Sequence, residues 1–291
     1  MDLLDLEPET RSFLDERLDR LLVQLRGMDE PSFRLAKFIG AIRILGPRHG
    51  VWFLFNLYRH AAWGNYQYKE FFHCFLHLSE ISERLGNTFM SAMYQTARSC
   101  SNTLVARLLV SPMNRKTYEE PLHPELQSVT LGERRQWAKE FHPRRLEILM
   151  KDNDPIVMRN LLNNPKIREP HVLRIASQRP CDPAVLAEIA IHPRWSIRPI
   201  IRQAVVLNPW TGFDVSLPLL PLFNASEIQR LKIEPSLPDS LRTAIHEIQL
   251  LKEGATASDA PDFPPEADGE DSESNPANSP TGDRGSENRT A

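Results

Sequence analysis

Glycine is scarce in this sequence, at 12 of 291 residues, and cysteine scarcer still, at three. Cys74, Cys100 and Cys181 stand far apart, which excludes a dense disulfide framework and a CxxC metal site. A reducing cytoplasm is the expected home. No run of about 18 apolar residues exists. The nearest approach, GVWFLFNLYRHAAW at 50–63, is interrupted by Asn56, Arg59 and His60 and reads as a buried helix, so no membrane insertion is expected. The opening MDLLDLEPE is acidic and lacks the basic-then-apolar order of a secretory signal. GxxxxGK[ST], GxGxxG and GxSxG are all missing, so neither a phosphate-cradling loop nor a nucleophile elbow has support. No strand signal of any length appears.

Proline, by contrast, is plentiful at 24 residues, and part of it is periodic. DPIVMRNLLNNP (154–165), EPHVLRIASQRP (169–180) and DPAVLAEIAIHP (182–193) write nearly the same phrase three times. Each opens on an acid followed by proline. The carboxylate can accept from the free N–H groups of a first helical turn, and proline fits the first helical position. Each closes on a proline, which forces the preceding residue out of the helical region near Asn164, Arg179 or His192. Apolar residues fall at phrase positions 4, 5, 8 and 9, one helix face: Val157, Met158, Leu161 and Leu162, then Val185, Leu186, Ile189 and Ala190. In the middle phrase Ile175 and Ala176 sit one place early. A worn fourth phrase, RPIIRQAVVLNP (198–209), has Arg198 where an acid is expected. Helices this short cannot bury their stripes alone, but a stack of them can. Taken in pairs the phrases repeat every 28 or 29 residues.

DPIVMRNLLNNP resembles the DPxVRxxLAxNP phrase of HEAT-like repeats and of the leucine-rich repeat variant, a related short-helix solenoid. The resemblance covers about 130–210 well and 211–253 loosely. It implies a stack of helix pairs and says little about function.

The array is expected to begin at TLGE, where Thr130 and Glu133 stand at capping-box spacing. LPLLPLF (217–223) reads as a short helix or apolar connector. PDSLRTAIHEIQLLKEG (238–254) reads as a final capping helix. The N-terminal half is also helical, without a detectable repeat. Leu14, Leu18, Leu21, Leu22 and Leu25 form one stripe. Leu35, Phe38, Ile39, Ile42 and Leu45 form another, stopped at Gly46–Pro47. A helix over 66–85 and a long one from Asn87 to Leu108 complete a bundle of about five. The expected architecture is therefore all-α. A helical bundle (1–110), a linker (111–129) and an α-solenoid (130–253) are followed by an acidic tail (254–291). The tail holds nine acids, two arginines and Phe263 as its only large apolar residue. It cannot offset its ordering entropy and is expected to be disordered.

Three functional readings compete. The first is a non-enzymatic scaffold, without cofactor, that binds a partner protein through the solenoid surface. An array has a long exposed face and no obligatory cleft. The second is nucleic-acid binding. Residues 131–202 carry fourteen Lys or Arg against eight Asp or Glu. Arg159, Arg174, Arg194, Arg198 and Arg202 could track phosphates, with Trp195 or Trp210 stacking on bases. Against it, repeated arginines in such arrays also pair with acids of the next copy. The third is a metal-dependent enzyme using KEFFHCFLHLSE, where Glu70, His73 and His77 share one helix face. Such sites need a second ligand-bearing helix, and no other Glu-x-x-His appears. The acidic tail could also fold onto the basic solenoid and compete with an acidic partner.

Overall fold

The computed structural model describes residues 7–28, 30–64, 68, 74, 77–110, 118–119, 121–140 and 142–253. All of them belong to one compact unit, 1–260; a second unit, 261–291, and the whole tail from 254 lie outside the described residues. Among the described residues there are only helices, turns and irregular segments, with no strand. None of the helices is long and apolar enough to cross a membrane.

Among the described residues five helices make the N-terminal bundle. α1 (Pro8–Arg26) and α2 (Pro31–Ala62) each begin with proline in the first turn, where its missing N–H costs nothing. α2 bends sharply at Gly46, whose φ of 73° only glycine adopts freely, and Pro47 restarts the helix. The expected stripes are buried except at the end of the second: Leu14, Leu18, Leu21, Leu22 and Leu25 share a core with Leu35, Phe38, Ile39 and Ile42, while Leu45 is only partly buried. The second half of α2 buries Val51 through Leu54, Leu57, Tyr58, Ala61 and Ala62 and forms the central post of the bundle. α3 (Leu78–Leu85) and α4 (Asn87–Ser99) pack against α2. The long helix expected to run on to Leu108 breaks instead. Ser101 takes a left-handed φ of 54°, and Asn102 caps α5 (Thr103–Leu109) by accepting from the Val105 N–H at 2.9 Å. The apolar period continues across the break, so it gave no sign of it. α4 does begin at Asn87, as expected, with Gly86 before it.

In the second part of the expected linker, the described residues 118–119 and 121–129 include packed side chains. α6 (Pro124–Gln127) buries Leu126 completely, and Tyr118 meets Trp210 edge-on. Residues 111–117 and 120 lie outside the described residues.

The solenoid then runs α7 (Leu131–Lys139), α8 (Pro143–Leu149), α9 (Pro155–Leu162), α10 (Glu169–Ala176), α11 (Pro183–Ile191), α12 (Pro199–Leu207) and α13 (Phe213–Leu219). One layer stacks α7, α9, α11 and α13 in sequence. In the other, α10 packs on α12, and α8 packs on α6, α7 and α9. In the first and third phrases the caps are those expected, whereas Glu169, expected to cap the second, is the first residue inside its helix. Asp154 accepts from Val157 N at 2.8 Å, and Asp182 accepts from Ala184 N at 2.7 Å. Thr130 and Glu133 form a reciprocal capping box. The early apolar residues of the middle phrase have a simple cause. α10 begins one residue sooner than its neighbours, with Arg168 as cap, and the His171 ring accepts from the Arg168 N–H at 3.0 Å. Counted from that cap, Val172, Ile175 and Ala176 occupy the same buried places as Met158, Leu161 and Leu162.

α13 continues into a 3₁₀ turn (Leu220–Leu222), and together they are almost wholly buried. They join the two halves by packing against α2, α5 and α11. Residue 221 is proline and has no N–H for the Leu217 carbonyl. The buried Tyr58 hydroxyl of α2 donates to that carbonyl at 3.3 Å. α14 (Ala225–Ile233) follows on a second capping box, Asn224 with Glu227. α15 (Asp239–Glu253) closes the body: Leu241, Ile245 and Ile248 are buried, and the Trp63 indole N–H of α2 donates to Leu251 O at 2.8 Å. Bundle and solenoid therefore share one core.

Candidate interaction surfaces

Much of the polar chemistry of the array is spent on its own stacking. Asn164 and Asn208, each just before the closing proline of its phrase, are 3% and 1% exposed. The Asn164 amide donates to Ala138 O and Glu140 O at 2.9 and 3.0 Å, and its oxygen accepts from Lys166 N at 3.0 Å. Asn208 repeats the pattern with Ala176 O, Gln178 O and Trp210 N at 2.8, 2.9 and 3.0 Å. Each asparagine thus satisfies carbonyls left free at the end of an earlier helix and fixes its own turn. His192 holds the equivalent place in the third phrase. Its Nδ1 accepts from Arg194 N, and its Nε2 faces Asn163 Oδ1, both at 3.2 Å. Burial, and secondarily Arg194, lower its pKa. A neutral ring donating from Nε2 satisfies both contacts.

The arginines divide. Arg159 of α9 makes two hydrogen bonds to Glu188 of α11, at 2.9 and 2.6 Å, and Glu188 is only 9% exposed. Hydrogen bonding to Glu188 raises the Arg159 pKa. Arg198 lies 3.7 Å from Glu169. Both pairs span 29 residues, one step of the repeat. Arg134 and Asp152 form a further, buried pair at 2.6 Å. Arg202 occupies a place that is apolar in the other phrases. It stacks over Phe223 at 5.3 Å, Nη1 donates to Ile197 O at 3.2 Å, and burial lowers its pKa. Arg174 and Arg194 are exposed, Arg194 lying over the Trp195 ring at 4.4 Å. The expected row of five cations is thus reduced by internal pairing and inward packing.

Neither tryptophan offers an open face. Trp195 is 2% exposed and its indole donates to Leu162 O at 3.0 Å, so it is a core residue rather than a stacking platform. Trp210 is half-buried against Tyr118. What the turn before α12 and the helix's own first turn expose is apolar: Ile197 at 59% and Ile200 at 46%, beside exposed Arg194 and Arg198. Nothing in the phrase pattern marks this patch: Ile197 falls between two phrases, and Ile200 stands beside the buried position of Ile201.

Glu70 and His73 lie outside the described residues. His77 is the residue before α3, within electrostatic reach of Glu188 and Arg159, and burial lowers its pKa. Among the described residues no group of three or more His, Cys, Asp or Glu is placed to hold a metal ion. Cys74 and Cys181 are buried, which pushes both thiols up to about 12, far from thiolate chemistry.

A second surface lies on the bundle, between α1 and the first half of α2. A hollow of about 400 Å³ is walled by Leu21, Ala36, Gly40, Ala41 and Ile44, with Arg17, Arg20 and Lys37 at its rim. It adjoins two further hollows, one toward Phe13 and His49, the other toward Met28 and Phe33. Searched against protein-family models, curated proteins and solved structures, the chain finds no match in any of the three.

Proposed function

We propose that the chain is a non-enzymatic scaffold whose solenoid surface binds a partner protein. The observation that carries this reading is the Ile197–Ile200 patch beside the exposed Arg194. Exposed β-branched side chains do nothing for a phosphate backbone, whereas an apolar centre with a basic rim suits an acidic protein surface. The internal pairing of Arg159 and Arg198, and the burial of Trp195, subtract from the nucleic-acid reading. The resemblance of the phrases to HEAT-like and leucine-rich-repeat-variant arrays agrees with a binding role but names no partner.

The discriminating experiment is titration of the full chain with duplex and single-stranded oligonucleotides across a salt series. The scaffold reading expects weak binding at low salt that Arg194→Glu barely alters. A steep salt slope, implying several released counterions and lost in Arg174→Glu/Arg194→Glu, would replace it with nucleic-acid binding.

A further inference from the structure

Apart from the array, a groove runs between α1 and the first half of α2. Three hollows run together there. The first and second share Arg17, Ile44 and Leu45, and the first and third share Ala36 and Lys37. Along α2 the exposed residues Phe33, Ala36, Lys37 and Ile44, with half-exposed Gly40, recur at helical spacing on one side. Phe33 is 68% and Ile44 75% exposed, and Phe13 on α1 is 54% exposed. So much apolar surface at helical spacing, next to a hollow, marks a binding face rather than scattered surface hydrophobes. Ala36 and Gly40 form a low floor: a Cβ built at Gly40 meets nothing within 4 Å. An incoming backbone can therefore approach closely.

The charge around the groove selects its occupant. The central hollow has three cations on its wall, Arg17, Arg20 and Lys37, and no carboxylate. Arg20 also pairs with Glu16, one turn earlier on α1, and Arg17 stacks on Phe13. Glu9 and Glu30 stand only at the two ends. The stretch from Phe33 to Ile44 is about 16 Å long, three helical turns. We infer that this groove binds an acidic amphipathic helix of a partner protein. The helix would place leucine-like side chains among Phe13, Phe33 and Ile44 and its carboxylates on Arg17, Arg20 and Lys37.

The probe is a labelled peptide of about 15 residues, with leucines every third or fourth position and glutamates flanking them. Its twin carries lysines in place of the glutamates. Both are titrated against the full chain at about 0.15 M salt. The acidic peptide should bind, and the lysine twin at least tenfold more weakly. Gly40→Leu, which fills the floor of the groove, should weaken the acidic peptide tenfold or more, and so should Lys37→Glu. A Cβ at Gly40 meets nothing and leucine improves helix propensity, so Gly40→Leu should melt no lower than the parent. Ile200→Asp, on the array, should leave peptide binding intact, which keeps the two surfaces separable. Absence of binding, equal binding of the twins, or indifference to Gly40→Leu would each overturn the inference. So would two other results: groove-dependent binding of phosphatidylglycerol vesicles without peptide binding, or self-association abolished by Gly40→Leu.

Discussion

Replacing Asn208 by alanine removes one amide and unpairs three backbone groups at once. Ala176 O and Gln178 O lose their donor, and Trp210 N–H loses its acceptor. Asn208 is 1% exposed, so water does not readily take its place. An unpaired buried polar group costs about 1–3 kcal/mol, and local relaxation recovers part of that. The expected loss is therefore about 3–5 kcal/mol, a large share of the roughly 5–15 kcal/mol that holds a domain of this kind together. With a urea dependence of about 2–3 kcal/mol per molar, the unfolding midpoint should fall by roughly 1.5 M. Asn208→Asp sharpens the test. It keeps an acceptor for Trp210 N–H but turns a carboxylate oxygen toward two carbonyl oxygens. It should be destabilised at neutral pH and recover partly as the pH falls and the carboxyl protonates. Glu147→Ala, at an exposed position of α8, should stay within about 0.5 kcal/mol of the parent. An Asn208→Ala midpoint within about 0.3 M of the parent would refute the reasoning.

Other consequences are equally direct. Burial keeps His192 neutral, so its folded-state pKa lies below the ordinary 6.5. Its contribution is complete above that unfolded value and is lost as the pH falls through the lowered one. Stability should decline from about pH 6.5 downward, and His192→Asn, which restores the residue of the first and fourth phrases, should flatten the decline in urea midpoints. Arg159→Ala strands the carboxylate of Glu188 and should cost more than Glu188→Gln, because Arg159 is solvent-exposed and Glu188 is not; a double-mutant cycle measures the coupling. Gly40→Ala adds a methyl that meets nothing and should raise stability by about 0.5–1 kcal/mol, read from the same midpoints.

The helices of the array could be read from the sequence because each phrase states its own start and stop: Asp154 and Asp182 as caps, Pro155 and Pro183 just inside, proline again beyond the end. Burial of Val157, Met158, Leu161 and Leu162 followed from spacing alone. Other features needed the third dimension. The break at Ser101–Asn102 is invisible to periodicity, since Ala97, Leu104 and Leu108 stay in phase across it. The role of Asn164 and Asn208 depends on carbonyls about 24–32 residues earlier in the chain, although their shared place before proline was a usable signal. Trp195 looked like an exposed aromatic among arginines; only the stacking of α9 against the turn after α11 puts its indole on Leu162 O. The α1–α2 groove escaped notice because sequence reasoning assigned Leu35, Phe38 and Ile42 to the core and left Phe33, Gly40 and Ile44 as ordinary surface.

The central claim is that a protein docks at the Ile197–Ile200 patch of the array. A photo-crosslinking amino acid placed at residue 200 of the full chain, activated in the cells that make the protein, tests it most directly. The account predicts one discrete protein adduct, insensitive to nuclease and abolished by Ile197→Asp in the same chain. A nucleic-acid adduct, or the same faint set of products with and without Ile197→Asp, would contradict it.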